Sequence, residues 1–327
     1  MDVKDWIADA RQGLDELGVS EIRQTGILPE NGNAFFPVVG YPPHTMLPTQ
    51  EQEDVFTGYH QRRSNPITAY AHIPFCPSRC TYCHWITKTK SRQEEVEDYL
   101  DYIEREMVIY KQALGFDAIP AQSALIGGGT PTYLTAKQLD RFLKSFTTHF
   151  DLGASTQFSV EAEPTTLLGD EGLAKLKVLK DYGVDRISLG VQSFDDPMLA
   201  AMGRTHNNAQ SLESIEQIRK AGIENIFIDL IYGYPNQTVE QWLDNMLKVV
   251  SLDITGYQLF RLRIQQHGDR QGNIMSTFNK KPGSFPSADP IWLMKYLGIM
   301  ISEHYGYKER QTRIFAKKSD DVSHYNR

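Results

Sequence analysis

Short apolar runs alternate with amphipathic stretches between residues 67 and 263. The first run, ITAYAHI (67–73), ends just before a loop that carries cysteines. A helical period over about 92–114 follows, with Ser91 and Glu94 spaced as a capping box. SALIGG then precedes a helix over 136–149, for which Thr135 and Gln138 give the same start signal. QFSVEAE (157–163) leads to a helix over about 170–182, stopped by Gly183 where a left-handed turn is favoured. RISLGVQS (186–193) precedes helical segments across 195–221 that close at Gly222. IFIDLIYG (226–233) is followed by Thr238, Gln241 and a helix to about 251, and GYQLFRLR (256–263) is the sixth run. Six such β-then-α units imply parallel strands with right-handed crossovers, hence an α/β doubly wound sheet or a complete or partial barrel.

The unusual residues fall at the C-terminal ends of successive runs. Cysteines follow the first and glycines the second, Glu161 and Glu163 lie on the third, Gln192 on the fourth and Asp229 on the fifth. That edge is where sites assemble in parallel sheets and barrels, so one shared pocket is expected. Glu161 and Glu163, two apart on a strand, should share a face. Residues 1–60 read as an N-terminal arm and 61–264 as the β-α body. Residues 265–327 contain a polar loop (265–290), a helix over about 288–304 and a strand, YKERQTRIF (307–315).

Composition narrows the partners. The net charge of the 327 residues is −7 and the charges are mixed, so no phosphate-tracking surface is announced and nucleic acid is not an expected partner. Neither a secretion signal nor an apolar run of membrane-spanning length stands out, so a cytoplasmic location without a membrane partner is expected.

All three cysteines, Cys76, Cys80 and Cys83, fall within eight positions. In a reducing compartment such a cluster points to metal or redox chemistry. Structural zinc would need His72 or His84 as a fourth ligand, and His84 directly follows Cys83. A cubane iron-sulfur cluster accepts three thiolates and leaves one iron open to a ligand from outside the protein.

CPSRCTYC, with YAHIPFC before it, resembles the signature of radical S-adenosylmethionine enzymes, in the HemN-like subgroup around oxygen-independent coproporphyrinogen III oxidase. GGGTPT, SVEAEP, RISLGVQSF, GRTH and DLIYGYPNQT extend the similarity from about Ile67 to Tyr257. The resemblance implies a partial (β/α)6 barrel and a [4Fe-4S] cluster on Cys76, Cys80 and Cys83. It also implies S-adenosylmethionine on the open iron, cleaved reductively to methionine and a 5'-deoxyadenosyl radical. Gly127, Gly128, Gly129 and Thr130 match a segment at the methionine amino group. Glu161, Gln192, Arg204 and Asp229 match polar positions around the cofactor, and Tyr70 and Tyr82 are candidates for its aromatic surroundings. A reducing partner such as flavodoxin or ferredoxin follows from the same resemblance, and a monomer is expected.

His84 and Trp85 depart from the Gly-Cys of the oxidases and from the Asp-Phe of haem chaperones of the HemW type. RLRIQQHGDRQG likewise has no counterpart among the oxidases. The expectation is therefore the methyl- or methylene-transferring branch, with two S-adenosylmethionine molecules and an aromatic or tetrapyrrole substrate methylated or cyclopropanated at an sp2 carbon. His84, His72 and His206 are candidates for proton handling. The alternatives are a coproporphyrinogen oxidase-like enzyme and a HemW-like haem chaperone without turnover. Relatives continue beyond SHYNR, so the chain reads as truncated or short at its C-terminus.

Overall fold

Parallel strands cannot be joined by tight hairpins, so a chain of them must carry a crossover element between each pair. The computed structural model describes residues 3–25, 67–264 and 273–319, and in these the crossovers are the amphipathic helices. The order is α1 (Val3–Glu16), α2 (Val19–Gln24), β1 (Ile67–Ile73), β2 (Phe75–Cys76), β3 (Lys88–Thr89), α3 (Gln93–Leu114) and β4 (Ile119–Gly128). Next come α4 (Ala136–His149), β5 (Phe150–Ala162), α5 (Gly169–Asp181), β6 (Arg186–Gln192), α6 (Asp196–Ala201) and α7 (Asn208–Lys220). Then follow β7 (Asn225–Tyr232), α8 (Val239–Ser251), β8 (Gly256–Arg261), α9 (Asn273–Lys280), α10 (Ala288–His304), β9 (Lys308–Gln311) and β10 (Ile314–Ala316).

The main sheet runs β1-β4-β5-β6-β7-β8-β10-β9. Its first six strands are parallel, a partial (β/α)6 barrel, and β10 and β9 continue it antiparallel. Ile73, Ile126, Val160, Leu189 and Ile228 on the strands are fully buried with Leu139, Leu176, Ile218 and Trp242 on the helices. Burial of each such side chain contributes roughly 1.5–3 kcal/mol. The N-terminal α1 joins the same core through Trp6 and Ala10, with the Trp6 ring edge-on to His304 at 5.2 Å. No helix among the described residues is long and apolar enough to cross a membrane.

Local chemistry explains most boundaries. Thr135 Oγ1 accepts from the Gln138 amide at 3.2 Å while Gln138 Oε1 accepts from the Thr135 amide at 3.1 Å. Thr238 and Gln241 repeat the exchange at 3.2 and 3.0 Å. Gly183 and Gly222 end α5 and α7 with φ of 81° and 77°, as the left-handed stop requires.

Four elements differ from the sequence expectation. α3 is capped one residue later, where Glu95 rather than Glu94 accepts from the Arg92 amide at 3.0 Å. β5 begins at Phe150 instead of 157, because Phe150, Asp151 and Leu152 pair with β4 before the register shifts. The strand expected over 307–315 is a hairpin, broken where Arg313 turns through φ 69°. Part of the expected polar loop is helical as α9, and residues 265–272 of that loop lie outside the described residues, as do 26–60 of the expected arm and 61–66 of the expected body.

Gly172 in α5 separates propensity from packing. A Cβ there would lie 2.1 Å from the Leu167 carbonyl carbon, a backbone atom that cannot swing aside. Helix propensity alone would make Gly172→Ala stabilising by about 1 kcal/mol, whereas overpacking costs roughly 1–3 kcal/mol. We expect the clash to win and the urea midpoint to fall; a higher midpoint would show that the close contact is not maintained.

Candidate functional site

The loop after β1 is held from several sides. Its Thr81 amide donates to the Met202 carbonyl at 3.0 Å, its Thr81 carbonyl accepts from Ile274 at 2.8 Å, and the Thr81 hydroxyl meets the Tyr234 hydroxyl at 2.7 Å. So fixed, Cys76, Cys80 and Cys83 remain free thiols on the wall of a cavity of about 730 Å³. Burial pushes the Cys76 thiol up to about 11, opposed by the Thr130 hydroxyl and reinforced by Cys83 and Cys80. Burial likewise raises Cys83. Three thiolates together are thus unfavourable without added positive charge, which a metal centre supplies.

The donor set fits a cluster better than a single ion. The thiols influence one another electrostatically, yet among the described residues no three His, Cys, Asp or Glu side chains converge as one ion's shell. A cubane spreads its ligands more widely than a tetrahedral zinc. Neither proposed fourth ligand is turned to the sulfurs for that purpose. His72 Nε2 contacts the Ile86 carbonyl at 3.1 Å and Nδ1 the Tyr70 hydroxyl at 3.0 Å, while His84 Nε2 contacts the Arg263 carbonyl at 3.2 Å.

Glycines bring backbone close beside the thiols. A Cβ on Gly129 would lie 2.7 Å from the Pro74 carbonyl, and one on Gly128, whose φ is 111°, 2.6 Å from the His72 ring. Thr130 Oγ1 donates to Cys76 Sγ at 3.4 Å. Gly127 is placed under the Glu161 carboxylate and is absent from the cavity lining, unlike Gly128, Gly129 and Thr130.

Glu161 accepts from the Gly128 amide at 3.1 Å. Burial and then Asp229 push its carboxyl up to about 7. Asp229, to which Ser188 donates at 3.4 Å, is pushed to about 6 by burial, with Arg186 opposing. Gln192 reaches the same cavity from a left-handed position, φ 68°, at a register shift in β6. Such a conformation is costly for a residue with a side chain and clusters at functional sites.

Arg204 lies between three acceptors. It donates to Cys80 Sγ at 3.1 Å and to the Gly190 carbonyl at 2.7 Å, and sits 3.7 Å from Glu163 Oε1. Glu163 stands just beyond β5, where it accepts from the Thr165 amide at 3.0 Å and caps a short turn. Both Glu161 and Glu163 line the cavity. Burial would raise Glu163, but His206, Arg204 and Thr165 outweigh it and hold the carboxyl low. His206 is fully buried, with Nδ1 2.9 Å from Glu163 Oε1 and Nε2 3.0 Å from the Val191 carbonyl, so it faces Glu163 rather than the cavity. Tyr82 packs with Met198, Met202 and Tyr234, and Tyr70 lies 41% exposed at the rim.

Sequence reasoning missed a set of arginines. Arg186, Arg261, Arg263 and Arg313 all line the cavity. The spacing of Arg261 and Arg263 along one strand end, which puts both on one face, was the available signal. Arg313 carried none, because only the hairpin turn brings it there.

The buried carboxyls give a pH signature. Glu161 and Asp229 have folded pKa values above those of free carboxylates, so their contribution to stability is complete below about pH 4 and is lost as pH rises through 6 and 7. Ligand-free Glu161→Gln should therefore lose less melting temperature than the wild type between pH 5.5 and 8. A wild-type-minus-variant difference that is flat with pH would contradict the buried acid.

The chain's relatives agree with this geometry. Residues 70–249 match the Radical SAM superfamily model. A heme chaperone HemW of Lactococcus lactis is 38% identical over 259 residues, covering 79% of this chain and 64% of that protein. An oxygen-independent coproporphyrinogen III oxidase of Helicobacter pylori is 32% identical over 224 residues, 65% of this chain and 48% of the other. The structure of Escherichia coli coproporphyrinogen III oxidase (HemN), described as a radical SAM enzyme, superposes with a TM-score of 0.72 at 26% identity. It covers 85% of this chain and 62% of that one, so the chain spans less than two thirds of these relatives. These similarities overturn the expected methyl or methylene transfer, since they run to heme chaperones and coproporphyrinogen oxidases. Two of the sequence departures that motivated it have another physical role: His84 ties the cysteine loop to the segment after β8, and the RLR segment supplies cations to the cavity, while Trp85 is 66% exposed. With three thiols, a glycine-lined approach and the polar ring on one parallel-strand edge, the chain belongs to the radical SAM superfamily, among its HemN-like members.

Proposed function

We propose that this protein is a HemW-like heme-binding chaperone that keeps the radical SAM cofactors. The observation that carries this is the cavity itself: about 730 Å³, lined by the cysteine loop and by arginines, in a chain similar to heme chaperones over 259 residues. When bound, a [4Fe-4S] cluster with S-adenosylmethionine supplies reductive cleavage of a carbon-sulfur bond. Cys76, Cys80 and Cys83 would hold the cluster. Glu161, Gln192, Arg204 and Asp229 would bind the polar groups of one S-adenosylmethionine, with Gly128 and Gly129 admitting its close approach. Glu163 and His206 would keep the Arg204 guanidinium in place. A small electron-transfer protein such as flavodoxin or ferredoxin would serve as reductant.

Oxidase chemistry is the second reading, favoured by the TM-score of 0.72 to the HemN structure. The two separate in one anaerobic experiment on the reconstituted chain. As a chaperone, it should bind heme saturably at one per chain, seen as a new visible absorption band, and form no decarboxylated product from coproporphyrinogen. Product formation with S-adenosylmethionine and reductant, without saturable heme binding, would replace the chaperone by the oxidase.

A further inference from the structure

The S-adenosylmethionine residues do not account for one side of the cavity. Arg261 ends β8, Arg263 follows it two residues later, and Arg313 on the turn between β9 and β10 lines the same cavity. Two contacts fix this side. The Leu259 amide donates to the Arg313 carbonyl at 2.9 Å, and the Arg313 guanidinium lies 4.6 Å from the centre of the Phe260 ring. The Arg313 amide donates to Glu309 at 2.6 Å, which holds the left-handed turn.

Arg261 Nη2 is buried without a hydrogen-bond partner among the described residues. Burial pulls down the pKa of Arg261, and that of Arg313 falls through burial and then through repulsion from Arg263. Asp229 is the carboxylate that acts on Arg313, and it also faces Arg186 and Ser188. A buried guanidinium atom left unpaired costs more than one satisfied by an anion. Arginine forks match carboxylates in two-point geometry.

The position relative to the cysteines matters. The His84 ring contacts the Arg263 carbonyl at 3.2 Å, so this wall adjoins the cysteine loop even though β1 and β8 lie far apart in the sheet.

We propose that Arg261, Arg263 and Arg313 form a carboxylate-binding wall of the cavity, which holds a planar ligand carrying at least two carboxylates with its apolar body turned toward the cysteine loop. The proposal rests on the heme reading for the identity of that ligand, since heme carries two propionates. The anion site itself stands on the arginines alone. The carboxylate of S-adenosylmethionine is a separate source of the same chemistry, and belongs with Arg204.

The test uses the full chain with its cluster reconstituted, the variant Arg261→Gln/Arg313→Gln, and the milder Arg261→Lys. Three probes are titrated: heme, heme dimethyl ester and benzene-1,3,5-tricarboxylate, the last followed by thermal shift. Wild type should bind heme at least about tenfold more tightly than the ester, as expected for one charge-assisted hydrogen bond or more. In the double variant that preference should vanish while ester affinity and S-adenosylmethionine affinity stay unchanged, and Arg261→Lys should keep part of it. Thermal stabilisation by the tricarboxylate should be lost in the double variant as well. Equal affinity for heme and its ester in wild type, or parallel loss of both in the variant, overturns the wall. If heme fails to bind but the tricarboxylate stabilises wild type and not the variant, the wall stands and the heme reading falls. A double variant that does not fold passes the decision to Arg261→Lys, for which an unchanged heme-to-ester ratio overturns the proposal.

Discussion

A guanidinium is costly to bury unless anions and carbonyls surround it, and Arg204 has such surroundings. Cys80 sulfur, the Gly190 carbonyl and Glu163 enclose it, and Glu163 is in turn braced by His206 and Thr165. These partners come from the loop after β1, from β6, from the end of β5 and from the segment before α7. One ion therefore ties the cysteine loop to the middle of the sheet. Removing Glu163 would leave a buried cation underpaired, a loss of a few kcal/mol in comparable settings. The balance also explains why Glu163 stays ionised while Glu161, on the same cavity, is pushed toward its neutral form by burial and Asp229.

The cavity is thereby graded. Beside the cysteines, amide and hydroxyl donors meet sulfur and Glu161; along the strands, Ser188 donates to Asp229; and Arg186 and Arg313 act on that same carboxylate. Glycines matter in this design for space rather than flexibility alone. Gly128 and Gly129 let the strand end pass within van der Waals distance of His72 and Pro74, where any side chain would collide. The same crowding holds His72 through both ring nitrogens, which makes it a support for the glycine segment.

Much of this was legible in the sequence, for identifiable reasons. Six β-α units could be read because helix caps such as Thr135 with Gln138 and stops such as Gly183 are local signals. Placement of Glu161, Gln192 and Asp229 on one edge followed from the direction of parallel strands. The pairing of Glu163 with Arg204 and His206 could not be read, since residues more than forty positions apart meet only through tertiary packing. The first half of β5 was hidden because its apolar-polar alternation, Phe150-Asp151-Leu152, is only three residues long and runs directly on from α4 before the register shifts. Arg313 was invisible because a turn, rather than a periodic pattern, aims it. The number and spacing of the thiols pointed to the radical SAM family, which the relatives bear out, whereas His84 misled about the reaction because a departure from a motif can serve to anchor a loop.

The proposed function depends on a [4Fe-4S] cluster that Cys76, Cys80 and Cys83 would hold, with one iron left open to S-adenosylmethionine. Low-temperature electron paramagnetic resonance of anaerobically reconstituted, reduced protein tests it directly, with and without S-adenosylmethionine. A four-iron signal that changes shape when S-adenosylmethionine is added is the predicted result. A protein that takes up no iron-sulfur cluster, or whose signal is the same in both samples, would contradict it.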